Sequence, residues 1–280
     1  MRFEGDSPLA GRVAVVTGAG SGLGAAMARR FAAAGMRVAL ADIEQGPLDE
    51  TASSIAGEGT EVLVRAVDVR DGAALEALAD AVFNTWGSVH VLCNNAGVAT
   101  GGRAWELSVS DWQWVLGVDL WGVINGLRAF VPRMIERGEP GHVVNTGSMT
   151  SLLAVPNLAA YGAAKAAVAS LSEALALDLA AEGANIGVSV LCPGHIDTAI
   201  GDSARNRPAD VAAVAPARPR RRTTEGVTSR MTVDEVAEHV LAAIVDDQFW
   251  ILTHEEYRPL LVERAEGIGG GGRPSPPPIW

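Results

Sequence analysis

The sequence predicts an α/β fold in which one doubly wound parallel sheet of about seven strands carries helices on both faces. Short, apolar, β-branched segments alternate with longer Ala- and Leu-rich segments along most of the 280 residues. The short segments (VAVV, VHVLC, VSVL) lack polar alternation, as expected of strands buried on both faces. Regular alternation of strand and helix requires right-handed crossovers, and therefore a parallel sheet between two helical layers.

The elements follow this alternation in order. Strands are predicted over 12–17, 37–42, 61–67, 89–94, 142–146, 186–192 and 249–252. Helices are predicted between them, over 22–34, 47–56, 71–86, 110–137, 161–182 and 233–245. Residues 1–252 are thus expected to form a single domain, and an apolar content of 48% is enough to bury its core.

Two regions lack the alternating pattern. Residues 201–230 contain several prolines and an arginine cluster at 218–222, and they are predicted to form a lid loop. Residues 253–280 are predicted to form a C-terminal tail, which is Gly- and Pro-rich from residue 267. We expect this tail to be ordered only if Ile279 and Trp280 dock on the protein.

Charge, cysteine content and the N-terminus exclude several classes of protein. The formal net charge is −11, whereas binding to nucleic acid or to an anionic membrane needs a basic surface. Two cysteines, Cys93 and Cys192, are too few for a disulfide framework and fit a reducing compartment. The sequence contains neither a secretory signal nor a stretch of about 18 uncharged apolar residues. We expect a cytoplasmic protein whose partner is a small molecule, with no nucleic acid or membrane.

A glycine-rich turn, TGAGSGLG at 17–24, follows the first predicted strand and precedes a helix. Glycines there permit a tight turn and close approach of the backbone to a pyrophosphate, and the helix N-terminus supplies N–H donors. Asp42, at the end of the second strand, can accept a hydrogen bond from a ribose 2′-hydroxyl and would repel a 2′-phosphate. These features predict a dinucleotide site that prefers NAD to NADP. Purely structural turns are the alternative.

Tyr161 and Lys165 form a second candidate site. They stand four residues apart in a predicted helix, so both side chains project from one face. The chain contains two tyrosines and a single lysine, so this spacing arises by chance about once in 140 cases. A free tyrosine has a pKa of about 10, and a neighbouring ammonium favours its phenolate. The pair therefore predicts general acid/base chemistry, with a solvated surface pair as the alternative.

These motifs together resemble the short-chain dehydrogenase/reductase family, whose turn reads T-G-x-x-x-G-x-G and whose helix carries Y-x-x-x-K. Three further blocks support the resemblance in the family's order: Asp68-Val69, Asn94-Asn95-Ala96-Gly97, and Pro193-Gly194 followed by Thr198. The resemblance covers residues 12 to about 200 block by block. It implies a single Rossmann-like domain and an NAD(P)-dependent oxidoreductase that interconverts a secondary alcohol with a ketone or aldehyde.

The resemblance also implies roles for individual residues. Ser148, after the fifth strand, would hydrogen-bond the substrate oxygen, Tyr161 would transfer the proton, and Lys165 would also hold the nicotinamide ribose. Ser151 is a weaker candidate than Ser148. Where the family often has an Asn that completes a proton relay, this chain has Asp119, for which relay and structural roles both stay open. The residues expected to bind the cofactor are Gly18, Ser21, Gly22, Leu23, Gly24, Asp42, Ile43, Asp68, Val69, Asn95, Ala96, Gly97, Tyr161, Lys165, Pro193, Gly194, Ile196 and Thr198.

Other residues leave their roles open. His195 can line the pocket or take part in chemistry, but it has no metal-ligand partners at suitable spacing, and we predict no metal site. The tryptophans fit either the interface of a homo-oligomer, a dimer or tetramer as is common in the family, or a large core; they are Trp105, Trp112, Trp114 and Trp121. The arginine cluster 218–222 could attract an anionic substrate or keep a lid solvated. Two functional alternatives also stand: epimerase or dehydratase-type chemistry that retains the cofactor, and a non-catalytic nucleotide-binding regulator.

Overall fold

A computed structural model describes residues 3, 8–56, 59–208 and 230–277 of the chain. Seven parallel strands form one sheet in the order β3-β2-β1-β4-β5-β6-β7. The strands are β1 (Val13–Thr17), β2 (Arg37–Asp42), β3 (Val62–Ala66), β4 (Val91–Asn94), β5 (Gly141–Thr146), β6 (Ile186–Cys192) and β7 (Trp250–Leu252). The helices are α1 (Gly22–Ala33), α2 (Gln45–Ala56), α3 (Gly72–Trp86), α4 (Val109–Leu116), α5 (Gly122–Arg137), α6 (Ala159–Ala181), α7 (Val233–Asp246) and α8 (Arg258–Gly269). The predicted fold class is confirmed.

The strand order reverses direction at β1, which pairs with β2 on one side and β4 on the other. Loops that leave the carboxyl ends of these strands diverge to opposite faces of the sheet and open a crevice between them. The glycine-rich turn after β1 and the Asn94–Gly97 segment after β4 pack side by side at this crevice, with Gly18 against Ala96.

Both faces of the sheet are buried, which explains the missing polar alternation. Along β1, Val13 and Val15 belong to one core cluster, while Ala14 and Val16 belong to the cluster on the opposite face. Helices α3 and α5 contribute to the first core, and α1 and α7 to the second. Side chains on either face of the sheet thus pack against an apolar core.

The helical stretch predicted over 110–137 is interrupted. A five-residue π-helical turn, Gly117–Trp121, separates α4 from α5. By length and composition the whole stretch Val109–Arg137 could cross a membrane, since an 18-residue window has a mean hydropathy of 1.3. Of that window, 56% is buried within the fold, as in the core helix of a globular domain.

The described part of the predicted lid contains a 3₁₀ segment, Ala199–Asn206. We call residues 199–208 the lid segment. The arginine cluster 218–222 lies outside the described residues.

The structure differs from the expected tail over residues 253–269. A 3₁₀ turn, Glu255–Tyr257, leads into α8, which has no fully buried residue of its own. Tyr257 anchors the segment, because its side chain is 3% exposed and packs in a third apolar cluster with Met149 and Cys192. The sequence pattern missed this helix because few of its residues face the core. Ile279 and Trp280 lie outside the described residues.

Candidate active site

The crevice at the carboxyl ends of the strands gathers nearly all of the predicted site residues. Ser148, Tyr161 and Lys165 line it, and so does every residue predicted to bind the cofactor except Gly24. Gly24 and Asp119 lie behind the lining and support it. The sequence prediction missed several lining residues from strand ends, from α4 and the π-helical turn, and from the lid segment: Glu44, Trp114, Val118, Thr146, Gly147, Ile200, Ser203, Arg205 and Asn206.

The glycine-rich turn is packed so closely that two of its positions, Gly18 and Gly24, have no room for a side chain. Gly18 has a φ of +67°, and a Cβ there would lie 2.8 Å from the Cα of Ala96. A Cβ on Gly24 would lie 2.0 Å from the Gly18 carbonyl oxygen. Ser21 precedes α1 without a side-chain capping bond, so the first N–H groups of the helix open into the crevice. A helix N-terminus of this kind attracts an anion such as a pyrophosphate.

Asn95 joins the ends of three strands. Its backbone N–H donates to Thr17 Oγ1 at 2.9 Å, and its Nδ2 donates to the Thr17 carbonyl oxygen at 3.0 Å. Thr146 Oγ1 donates to Asn95 Oδ1 at 3.2 Å. These bonds connect β1, β4 and β5 and hold the floor of the crevice together. Thr17 is the first residue of the glycine-rich motif, whereas Thr146 shows no sequence signal beyond its position at a strand end.

Asp42 lies where the second strand meets the glycine-rich turn. Its Oδ2 accepts from the Gly20 N–H at 2.8 Å, and its Oδ1 accepts from the Glu44 N–H at 3.0 Å. Backbone donors therefore fix the carboxylate at the edge of the crevice.

Further along the wall, Asp68 binds Arg70 through two of the guanidinium nitrogens of Arg70. Burial opposes ionisation of Asp68, yet Arg70 outweighs it and holds the pKa of the carboxyl below its usual range.

The lid segment is tied to both sides of the crevice. At one side, Glu44 accepts from Arg205 Nη2 at 2.7 Å and from Asn206 Nδ2 at 2.9 Å. The hydrogen bond from Arg205 lowers the pKa of Glu44. In the middle, Ser203 Oγ accepts from the Ala99 N–H at 2.9 Å. These contacts join residues 104 to 162 positions apart in the chain, so no local pattern could have predicted them.

The far end of the lid segment is held by Arg207. Its Nη2 donates to Asp111 Oδ1 at 2.5 Å, and its guanidinium lies 4.9 Å from the centre of the Trp114 ring. Asp111 also closes the capping box of α4 with Ser108. The lid segment is thereby attached to the helix that forms the opposite wall.

Lys165 is buried at the centre of the site, with only 2% of the residue exposed. Its Nζ donates to the Thr146 carbonyl oxygen at 2.9 Å and lies 3.5 Å from Asp119 Oδ2. The centre of the Tyr161 ring is 5.7 Å from the same nitrogen. The ammonium charge thus faces the phenol on one side and a carboxylate on the other.

Asp119 stands in the π-helical turn and is fully buried. Its Oδ1 accepts from the Val98 N–H at 2.8 Å. Burial raises the pKa of Asp119, although the charge of Lys165 and the Val98 hydrogen bond oppose the shift. π-Helical turns are frequent at functional sites, and this one turns a carboxylate toward Lys165.

Ser148 lines the crevice after β5 and also caps a short 3₁₀ segment. Its Oγ accepts from the Thr150 N–H at 3.1 Å, and its own N–H donates to Ser151 Oγ at 3.1 Å. The capping role and a role toward a ligand are compatible, since a hydroxyl accepting one bond still has a proton to donate. Ser151 serves here to orient the backbone of Ser148.

The remaining candidates divide between surface and core. Trp114 is buried, whereas Trp105 and Trp121 are 80% and 55% exposed.

His195 is partly exposed on the turn between the lining residues Gly194 and Ile196. Within the described ranges, no group of three His, Cys, Asp or Glu residues is placed to hold a metal ion. Cys93 and Cys192 are free and buried, and burial raises the pKa of the Cys192 thiol to about 12.

The fold and this crevice define a dinucleotide-binding oxidoreductase architecture, and comparison with known proteins agrees. The family model for short chain dehydrogenases matches residues 12–209. A short chain dehydrogenase/reductase from Burkholderia phymatum, solved in complex with NAD, shares 40% identity at a TM-score of 0.91, covering 96% of this chain and 98% of that one.

Curated relatives extend the same similarity. The 1-deoxy-11-beta-hydroxypentalenate dehydrogenase of Streptomyces exfoliatus is 36% identical over 92% of this chain and 88% of its own length. A CLA biosynthesis dehydrogenase/reductase of Lactiplantibacillus plantarum is 31% identical over 94% of this chain and 95% of its own. The chain belongs to the short-chain dehydrogenase/reductase family and is an oxidoreductase that acts on CH–OH groups.

Proposed function

We propose that this protein is an NAD-dependent oxidoreductase that interconverts a secondary alcohol and a ketone. The observation that carries the proposal is the placement of Tyr161 beside the buried Lys165 in a crevice that Ser148 also lines. A nucleotide-binding regulator needs the glycine-rich turn and Asp42, but it does not require the cluster of Ser148, Tyr161 and Lys165. The cluster therefore favours catalysis.

The side chains divide the work of alcohol oxidation. Ser148 Oγ donates a hydrogen bond to the substrate oxygen and orients it toward Tyr161. The Tyr161 phenolate takes the hydroxyl proton, and the Lys165 ammonium stabilises that phenolate electrostatically. NAD, when bound, supplies the hydride acceptor. Positioning of the reacting carbon and stabilisation of the developing oxyanion account for most of the rate gain.

NAD rather than NADP is supported by the carboxylates at the end of β2. Asp42 is fixed by two backbone donors, and Glu44 follows at the same edge of the crevice. Because Glu44 is paired with Arg205, the Asp42 carboxylate is the charge that repels a 2′-phosphate, whereas a ribose hydroxyl can donate to it. The NAD complex of the Burkholderia phymatum relative also supports this preference.

An NAD-linked screen of secondary alcohols, including cyclic and aryl ones, tests the proposal directly. The expected result is net formation of NADH with at least one alcohol, together with a preference for NAD over NADP. Turnover of a substrate with no net NADH would favour an epimerase or dehydratase. Binding of NADH without turnover of any compound would favour the regulator.

Asp119→Asn is expected to change how stability depends on pH. Burial raises the pKa of Asp119 above its usual 3.8. At pH values between the unfolded pKa and the folded pKa, the folded protein therefore still binds a proton that the unfolded protein has released. Wild-type stability therefore falls as pH rises from the unfolded pKa through the folded one, and it levels off above. The variant lacks this loss, so its stability relative to wild type should improve with rising pH.

Urea unfolding at a series of pH values measures this effect, and Asp178→Asn on the exposed side of α6 is the matched control. A difference between Asp119→Asn and wild type that does not change with pH would contradict the argument. The same variant tests the relay, because the pH–rate profile should move if Asp119 takes part in proton transfer. An unmoved profile would assign Asp119 a structural role.

Glu44→Gln is expected to speed the release of NADH. The substitution removes the charge that holds Arg205, and exposed ion pairs of this kind contribute about 0.5–1 kcal/mol. The dissociation rate should therefore rise by about two- to five-fold, as measured by stopped-flow fluorescence. Glu76→Gln, which removes the Arg133 pair between α3 and α5, is the matched control. Equal rates for the two variants would show that the lid segment does not retain the cofactor.

We further propose a homo-oligomer in the cytoplasm. Large apolar side chains are exposed on the helical layers: Val109, Trp121, Ile135 and Leu177. Burial of such residues in a dimer or tetramer would remove apolar area from water. Sedimentation velocity of the purified protein tests the assembly, and a monomer at micromolar concentration would contradict it.

A further inference from the structure

A group of buried polar side chains lies behind the Pro193–Gly194 turn, outside the crevice. Thr253 and His254 follow β7 and are 4% and 3% exposed. The Gly194 N–H donates to Thr253 Oγ1 at 3.0 Å, and the same oxygen lies 2.6 Å from His254 Nδ1. A continuous hydrogen-bonded chain thus runs from the crevice wall to a residue that does not line the crevice.

Gly194 N–H, Thr253 Oγ1 and His254 Nδ1 depend on one another for their hydrogen bonds. Thr253 Oγ1 accepts from Gly194 and shares a single hydrogen with His254 Nδ1, since a hydroxyl can accept and donate at once. Without the hydroxyl, the Gly194 N–H would lose the buried side-chain partner that it has in this structure. His254 Nε2 is itself buried and has no hydrogen-bond partner among the described residues.

The turn is also pressed against the two rings of this segment. A Cβ on Gly194 would lie 2.7 Å from His254 Nδ1 and 2.7 Å from Tyr257 Cε2. The rings meet edge to face, with their centres 5.8 Å apart. The turn can therefore pack against His254 and Tyr257 because Gly194 has no side chain.

We propose that Thr253 and His254 are positioning residues for the cofactor. They hold the backbone of Gly194, which lines the crevice together with Ser148 and Ile196, where the cofactor is proposed to bind. The inference rests on the proposed function, because it assumes that a nicotinamide cofactor occupies the crevice. It extends the site to a segment beyond β7 that touches neither cofactor nor substrate.

Thr253→Val and Thr253→Ser test the proposal. Valine keeps the shape of threonine and removes the acceptor, whereas serine keeps the hydroxyl. Thr253→Val should weaken NADH binding by about three- to ten-fold and raise KM for NAD, with a smaller change in KM for the alcohol. Thr253→Ser should bind NADH almost as wild type does. Thr85→Val, which removes a hydroxyl on the exposed face of α3, is the matched control.

NADH fluorescence titration gives the dissociation constants without any substrate, and thermal melting reports stability separately. Unchanged NADH affinity in Thr253→Val, with or without a lower melting temperature, would overturn the positioning role. So would an equal loss of affinity in Thr253→Ser. If Thr253→Val does not fold, Thr253→Cys offers a small side chain with a weak acceptor for the same comparison. Wild-type protein that fails to bind NADH would overturn the proposed function, and this inference with it.

Discussion

Replacement of Tyr161 by phenylalanine should lower kcat for alcohol oxidation by about 10³-fold or more. The variant keeps the ring beside Lys165 and loses only the oxygen that accepts the substrate proton. Because the glycine-rich turn, Asn95 and Asp42 are fixed by bonds of their own, the affinity for NADH should stay close to that of wild type. The effect should therefore appear in kcat far more than in KM for NAD.

The kinetic result is interpretable only beside a binding measurement. NADH fluorescence titration and a melting curve of Tyr161→Phe provide that control, and both should resemble wild type. Turnover within a few-fold of wild type would refute the assignment of Tyr161 as the acid/base group. Loss of both turnover and NADH binding would indicate damage to the fold instead.

Lys165→Met should reduce both catalysis and stability. The ammonium that stabilises the Tyr161 phenolate is removed, so kcat should fall by about 10²-fold or more. The substitution also leaves the buried Asp119 carboxylate without its cation, 3.5 Å away in the wild type. Loss of one partner of a buried pair costs about 3–5 kcal/mol. Since Asp119 can escape this penalty by taking up a proton, the loss of stability should be smaller at low pH.

The double variant Lys165→Met/Asp119→Asn separates the two effects. Stability should recover in part, because no unpaired carboxylate remains, whereas kcat should stay low. Urea unfolding of the four proteins gives the coupling energy between the two side chains. Simple additivity of the two single changes would show that the pair does not interact, and wild-type kcat in Lys165→Met would remove lysine from the mechanism.

Much of the site could be predicted from local sequence. Tyr161 and Lys165 are one helical turn apart, and the glycine-rich turn needs residues without a Cβ at Gly18 and Gly24, six positions apart. Such constraints act over a few residues and leave a readable spacing. The parallel arrangement of the sheet then brings the strand ends to one edge, which is why most predicted cofactor residues line one crevice.

Other features depend on contacts between distant segments. Glu44 meets Arg205, and Gly194 meets Thr253, only because the chain returns to the same edge of the sheet. The helix over 258–269 lies on the surface with few core contacts, so no strong periodicity marked it. The orientation of Asp119 likewise depends on a π-helical turn that spacing alone does not predict.

Sequence by itself therefore determined the fold class, the dinucleotide turn and the Tyr161–Lys165 pair, because short-range geometry restricts which residues can stand at each position. Only the tertiary structure decided how that pair is balanced by Asp119, how the lid segment is tied across the crevice, and what supports Gly194 from behind. Those arrangements join residues far apart in the chain, and their energies come from burial and from charges that meet only after folding.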